Sequence, residues 1–223
     1  MHWYDKIFEL IDLRSFSNLW YWLGLSIFWS TVGHWVLGVP HDIVYPAIPP
    51  ILKRLSLRFP RIRVNLVSSF TLLLKDDFAK GLHDLILTTE DVPDEGGEVL
   101  ATHDLVWVGA EAGQIAATRP LRLAFKENCI FRPRVIAALD AAGIGWEMAV
   151  DSASESVIEA TVAADLAISA RLRSMMPAGM CPIAPQAGLP TLGVQHICLY
   201  AAPTLQGEVA EALKGELRAA YCA

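Results

Sequence analysis

The four cysteines of this 223-residue chain, Cys129, Cys181, Cys198 and Cys222, are scattered, and no CxxC or CxxH pair occurs. That spacing argues against a zinc site and fits structural thiols in a reducing compartment. Positive charge is also scarce: 18 Lys and Arg stand against 24 Asp and Glu, for a net charge of −6. A broad basic surface for nucleic acid is therefore not expected. No Lys/Arg cluster of helical length accompanies a possible DNA-reading helix. The motifs G-x-S-x-G, H-E-x-x-H, Walker A and G-x-G-x-x-G are absent as well. Neither an enzyme nor a cofactor or metal is expected. Asp76-Asp77 and Glu90-Asp91 read as solvated surface, and Met175-Met176 as packing.

The longest absence lies near the start. No Asp, Glu, Lys or Arg occurs between Arg14 and Asp42, while five of the seven Trp fall in the first 35 residues. Trp3, Ile7, Phe8, Leu10 and Ile11 are spaced for a short amphipathic helix. The run Phe16–Val39 is 24 residues long, and a bilayer core needs about 20. Trp20, Tyr21, Trp22 and Trp35 are placed like interfacial aromatics. Residues 16–39 are thus a candidate membrane helix, with packing on a partner or a foreign fusion as the other readings. A cleaved signal peptide fits poorly, because acids and bases both flank the run and no small-x-small site follows it.

From residue 36 the chain alternates. "WVLGV", "RIRVNLVSS", "HDLILTT", "ATHDLVWVGA", "LRLAF", "WEMAVDS", "AISARL" and "VQHICLYA" read as strands. "AIPPILKRLSLRF", "TLLLKDDFAKGL", "RPRVIAALDAAGI", "ASESVIEATVAADL" and "GEVAEALKGELRAAY" read as helices. Thr71 is placed to cap the second of these and Gly81 to end it. Strand–helix–strand order implies parallel strands with right-handed crossovers. The expected class is α/β and two-lobed.

Several short motifs fall in register with a known family. Leu37-Gly38 closes the first strand and Ile48-Pro49 opens the helix after it. Phe59-Pro60 precedes the second strand. Thr71 stands ahead of Gly81, Asp84 and Leu85. "DLVWVGA", "ALDAAGIGWEMAVDSASESVIEATVAADLAIS" and "RSMMPAGM" follow in order. From residue 36 to the end the chain resembles the effector-binding domain of LysR-type transcriptional regulators. The resemblance implies a type 2 periplasmic-binding-protein fold, with lobe I at 36–120 and 195–223 and lobe II at 121–194. It departs from the family pattern in three places. A winged helix-turn-helix does not precede the domain; residues 1–35 stand there instead. Asp165 replaces a Gly in an A-A-G-L-G element, where a left-handed turn becomes costlier. Arg171-Leu172 replaces a Leu-Pro.

The resemblance places a small-molecule effector between the lobes. The strand–loop–helix junctions give the same lining on their own: Pro40, His41 and Asp42; Ser69 and Thr71; Thr89; Ser152 and Ser154. Helix amides and hydroxyls at such junctions favour a carboxylate. Lys126 or Arg132 could add a charged clamp. The resemblance further implies a homodimer, with Ile51, Leu55 and Trp146 as its apolar contacts. The expected function is sensing of an organic acid in the cytoplasm, by a chain without its own DNA reader and with a possible inner-membrane anchor. A membrane-associated solute-binding protein or a bare dimerising module of the same fold is the alternative.

Overall fold

A computed structural model describes residues 34–221. The short helix expected around residues 3–12, most of the apolar run 16–39 and Cys222 lie outside them. The part of that run inside them is not helical. His34–Pro40 forms strand β1, paired in parallel, residue for residue, with β2 (Arg63–Ser69). A single helix over 16–39 is therefore ruled out, because the backbone of its last six residues is committed to a ladder. Among the described residues no helix is long and apolar enough to cross a membrane.

β1 also pairs in parallel with β3 (Leu85–Glu90), so it is a central strand, with Leu37 and Val39 packed towards the helix at 48–58 and Gly38 towards the helix at 71–79. That is why Leu37, Gly38, Val39 and Pro40 are buried in an unbroken run instead of an alternating one. β9 (Val194–Ala201) continues the sheet antiparallel to β3. β4 (Glu98–Ala110) lies on the far side of β9. Helices α1 (Ile48–Arg58) and α2 (Thr71–Ala79) make the two crossovers among the parallel strands. Pro49 and Pro50 sit in the first turn of α1, where an amide without an acceptor is no loss. Gly81 (φ +74°) ends α2, and the amide of Leu82 reaches back to the Asp77 carbonyl.

β4 then changes partners. Glu98–Asp104 pairs with β9, whereas Leu105–Val108 pairs with β7 (Ser169–Leu172) and Val108–Ala110 with β8 (Met180–Pro182). One continuous strand thus runs from the first sheet into the second lobe. A short parallel pair, β5 (Leu121–Phe125) and β6 (Trp146–Asp151), completes that lobe with α3 (Arg132–Ala141) and α4 (Glu155–Ala163). The chain returns at Gly193, whose carbonyl accepts the Leu105 amide at 2.9 Å. It ends in α5 (Glu208–Tyr221), which packs on α1 and is tied to it by Arg54–Glu216.

Asp165 does adopt the left-handed conformation, at φ +56°. Its carboxylate accepts the amides of Gln114 (2.8 Å) and Ile115 (3.2 Å), which offsets strain that glycine would avoid. Two of the three expected dimer contacts need correction. Ile51 and Leu55 are core residues, at 0% and 4% exposure, because they form the inward stripe of α1. Trp146 is half-buried and donates its indole N–H to Asp140.

Gly38 lies where α2 and β3 approach β1. A Cβ there would meet Leu74, His83 and Ile86 side chains at 2.7–2.9 Å. Gly38→Ala should therefore lower unfolding stability by about 1–3 kcal/mol. Urea denaturation measures this, and an unchanged midpoint would contradict the packing described.

Candidate functional site

The parallel strands deliver their carboxyl ends to one place. β1 runs into a tight turn at His41–Ile43, and β2 ends at Ser68–Thr71. Lys126 follows β5, and Glu155 opens α4 just beyond β6. Arg171 comes from β7. This is the crevice where α/β proteins of this layout place ligands.

Charge is concentrated there. Lys126 (7% exposed) and Arg171 (5% exposed) are both buried. Glu155 bridges them, with one carboxylate oxygen on each cation. The Arg171 guanidinium also donates to the Ala170 carbonyl at 3.0 Å. Burial alone would raise the Glu155 carboxyl, but Arg171 and Lys126 beside it hold it below the usual range. On the facing lobe the Lys126 ammonium lies 5.1 Å from the centre of the Phe70 ring. His41 packs edge-on against the same ring and hydrogen-bonds Ser68 Oγ through Nδ1 at 2.7 Å. Burial and Lys126 push the His41 imidazole down, towards its neutral form.

Asp42 has no ion-pair partner in this set, whereas Glu155 Oε2, which also lacks a hydrogen bond, is paired with Lys126. The Asp42 Oδ2 is buried and has no hydrogen-bond partner. Burial pushes its carboxyl up, against the opposing pull of its own amide, Arg171 and Lys126. The Cys129 thiol nearby is likewise raised by burial and stays protonated.

Two connected spaces open here. A narrow cleft of ≈ 20 Å³ is lined by His41, Asp42, Ser69, Thr71, Lys126 and Glu155 among others. That is room for about one water. A cavity of ≈ 450 Å³ shares His41, Asp42, Glu155 and Arg171, and adds Tyr45, Glu159, Met175 and Met176. Larger hollows of ≈ 680 and ≈ 830 Å³ flank β8 on lobe II. They lack convergent free polar groups: Asp165 already holds two amides, and Asp104 is paired with Arg173. A binding site needs such groups more than it needs volume.

The sequence-derived residues divide accordingly. His41, Asp42, Ser69, Thr71 and Lys126 line the narrow cleft. Pro40 is buried at the end of β1, opposite Ser69. Thr71 is the first residue of α2, not its cap; its hydroxyl is spent on Thr89, whose amide it accepts at 3.2 Å. Thr89 is wholly buried and uses its own hydroxyl in that pair. Arg132 is paired with Asp151 at 3.1 Å. Ser152 accepts the Ser154 amide, and Ser154 bonds Ser156 Oγ instead of capping α4. Thr89, Arg132, Ser152 and Ser154 are not among the residues lining either space. Phe70 lies in the 68–71 stretch expected at the cleft, while sequence reasoning gives Glu155 and Arg171 no binding role. Arg171 carried a signal, a lone cation inside the small apolar strand "AISARL", which must find an anion if it is buried.

Comparison with known proteins agrees with this layout. The family model described as LysR substrate binding domain matches residues 30–220. The HTH-type transcriptional regulator PecT of Dickeya dadantii (strain 3937) is 26% identical over 190 residues, 84% of this chain and 60% of PecT. The chain therefore spans less than two thirds of that relative's length. The regulatory domain of CcmR from Synechocystis PCC6803, solved in complex with 2-PG, superposes with a TM-score of 0.66 at 14% identity, over 85% of this chain and 97% of that one. The effector binding domain of QuiR in complex with shikimate superposes at 0.62 and 16% identity, over 84% and 97%.

The charge cluster predicts opposite outcomes for two isosteric changes. Glu155→Gln leaves two buried cations short of an anion and should cost about 3 kcal/mol. Asp42→Asn removes a buried charge and should leave the unliganded protein as stable or more so at neutral pH. The signs follow from linkage. The lowered Glu155 group gives stability above its unfolded pKa that is lost as pH falls. The raised Asp42 group gives stability at low pH that is lost as pH rises through its folded pKa. Urea unfolding of both variants across pH checks this; a large loss in Asp42→Asn would contradict it.

Proposed function

The chain belongs to the LysR substrate-binding-domain family, and from that premise we propose that it is the effector sensor of a transcriptional regulator, tuned to a small organic acid held between its lobes. One observation carries the reading: two buried cations, Lys126 and Arg171, converge where the strands of both lobes end. A carboxylate is their natural partner. In the unliganded protein Glu155 takes that place, so an acid binds by competing with it. His41, Asp42 and Ser69 form the facing wall from lobe I. Shikimate, which one solved relative holds, is itself a carboxylate. Differential contact with the two lobes is what converts occupancy into geometry.

The chain's acidic balance suits a sensor that leaves DNA contact to another part of a regulator. Such a regulator works in the cytoplasm. An inner-membrane anchor through residues 16–39 is not retained, since residues 34–39 are strand. No feature favours a solute-binding role over sensing.

A homodimer remains part of the reading, with a revised face. Ile51 and Leu55 serve the core, so the outer side of α1 is left, where Leu57 is 75% exposed beside Lys53 and Arg54. Sedimentation at high micromolar concentration should show a dimer, and Leu57→Glu should shift it towards monomer. A wild-type monomer would overturn this face.

The central test is a thermal-shift screen of organic acids. An acid should raise the melting temperature of the wild type and fail to do so in Arg171→Met. A binder unaffected by Arg171→Met and Lys126→Met would place the site elsewhere.

A further inference from the structure

A plain acid does not balance the charges in this cleft. Lys126 and Arg171 are its cations, and Glu155 already bridges both. Asp42 is a second carboxylate facing the same space, with its Oδ2 buried and unpartnered. His41 adds no cation, because burial and Lys126 favour its neutral form. The wider cavity contributes one more carboxylate, Glu159, and no further cation. A simple carboxylate entering here would add an anion to Glu155, Asp42 and Glu159 against the two cations Lys126 and Arg171. It would also offer Asp42 Oδ2 no donor, and a buried acceptor left without one is unfavourable.

A ligand that carries its own cation removes both problems. An ammonium has three donors and no acceptor. One donor satisfies Asp42 Oδ2, and the others fall to the acidic side of the cavity. The ligand's carboxylate then neutralises Arg171 and Lys126 in place of Glu155. The rest of the ≈ 450 Å³ cavity is walled by Tyr45, Pro46, Met175, Met176 and Pro177. Those walls suit an apolar side chain, and methionines adapt to several shapes.

We propose that the effector is an amino-acid-type zwitterion, with its ammonium on Asp42 and its carboxylate on Arg171 and Lys126. The proposal rests on the cleft being the effector site. The charged and titratable groups around Asp42 are His41 on its own turn, Lys126 after β5, Cys129 in the loop before α3, Glu155 and Glu159 on α4, Arg171 on β7, Tyr45 beyond the turn and Tyr221 on α5.

The test is calorimetric titration of the full chain with the standard amino acids, each beside its des-amino carboxylic acid. An amino acid should bind, and its des-amino partner should bind about tenfold more weakly or worse, the usual worth of one charge-assisted hydrogen bond. Asp42→Asn should weaken the amino acid by a similar factor while keeping the unliganded melting temperature; Asp42→Ala replaces it if the Asn variant does not fold. Amino-acid binding should weaken as pH falls and Asp42 takes up a proton. Three results overturn the proposal but leave the cleft reading intact: a des-amino acid that binds more tightly than its parent, an Asp42→Asn protein that binds as well as wild type, or binding that strengthens as pH falls. If neither series binds, the zwitterion is overturned, and the acid screen against Arg171→Met decides the cleft reading separately.

Discussion

Two buried cations depend on one carboxylate, and much of the second lobe is arranged around that fact. Lys126 comes from the end of β5, Arg171 from β7 and Glu155 from the first turn of α4. Removing two such cations from water without a counter-ion would cost several kcal/mol each. Glu155 repays that by serving both at once. Its position at a helix start is itself favourable for an anion. The bridge therefore fixes where α4 begins relative to β5 and β7. It also carries Lys126 to the Phe70 ring of the other lobe.

The two lobes share one buried apolar core, from Leu37 and Val39 to Phe125 and Phe131, and a few polar ties add to it. β4 passes from one sheet into the other, and the Leu105 amide meets the Gly193 carbonyl where the chain returns. Arg134 on α3 reaches Asp91 and the Val194 carbonyl on the first-lobe side. The cleft between them is narrow, ≈ 20 Å³ at its charged end. A ligand must therefore displace Glu155, widen the cleft, or do both. A change in lobe separation driven from the charged end is the physical output such a sensor offers.

Much of the fold was legible in the sequence. Apolar runs at strand spacing and stripes at helical spacing marked β1 to β7, β9 and all five helices among the described residues. β8 was missed because three residues carry no periodicity. The partner change in β4 was hidden because composition shifts along the strand, from Glu98–Asp104 with four polar residues to Leu105–Ala110 with none, without naming which distant strand pairs with each half. The site was half legible. Strand ends pointed to His41, Asp42, Ser69 and Thr71. Glu155 and Arg171 did not stand out, since only folding brings positions 155 and 171 together with 126. Ile51 and Leu55 misled for the opposite reason. Their apolar stripe was read as a surface for a partner, but the domain's own core needs it first. Asp165 shows local chemistry outweighing propensity: two amides on its carboxylate hold a non-glycine in a left-handed turn.

The central claim is that the charged cleft, and not the larger hollows beside β8, receives the effector. Hydrogen–deuterium exchange with and without a saturating stabilising ligand tests it directly. The account predicts added protection in residues 40–43, 68–72, 126–131 and 155–158, with none in 110–118 or 181–187. Protection confined to those last two stretches would contradict it.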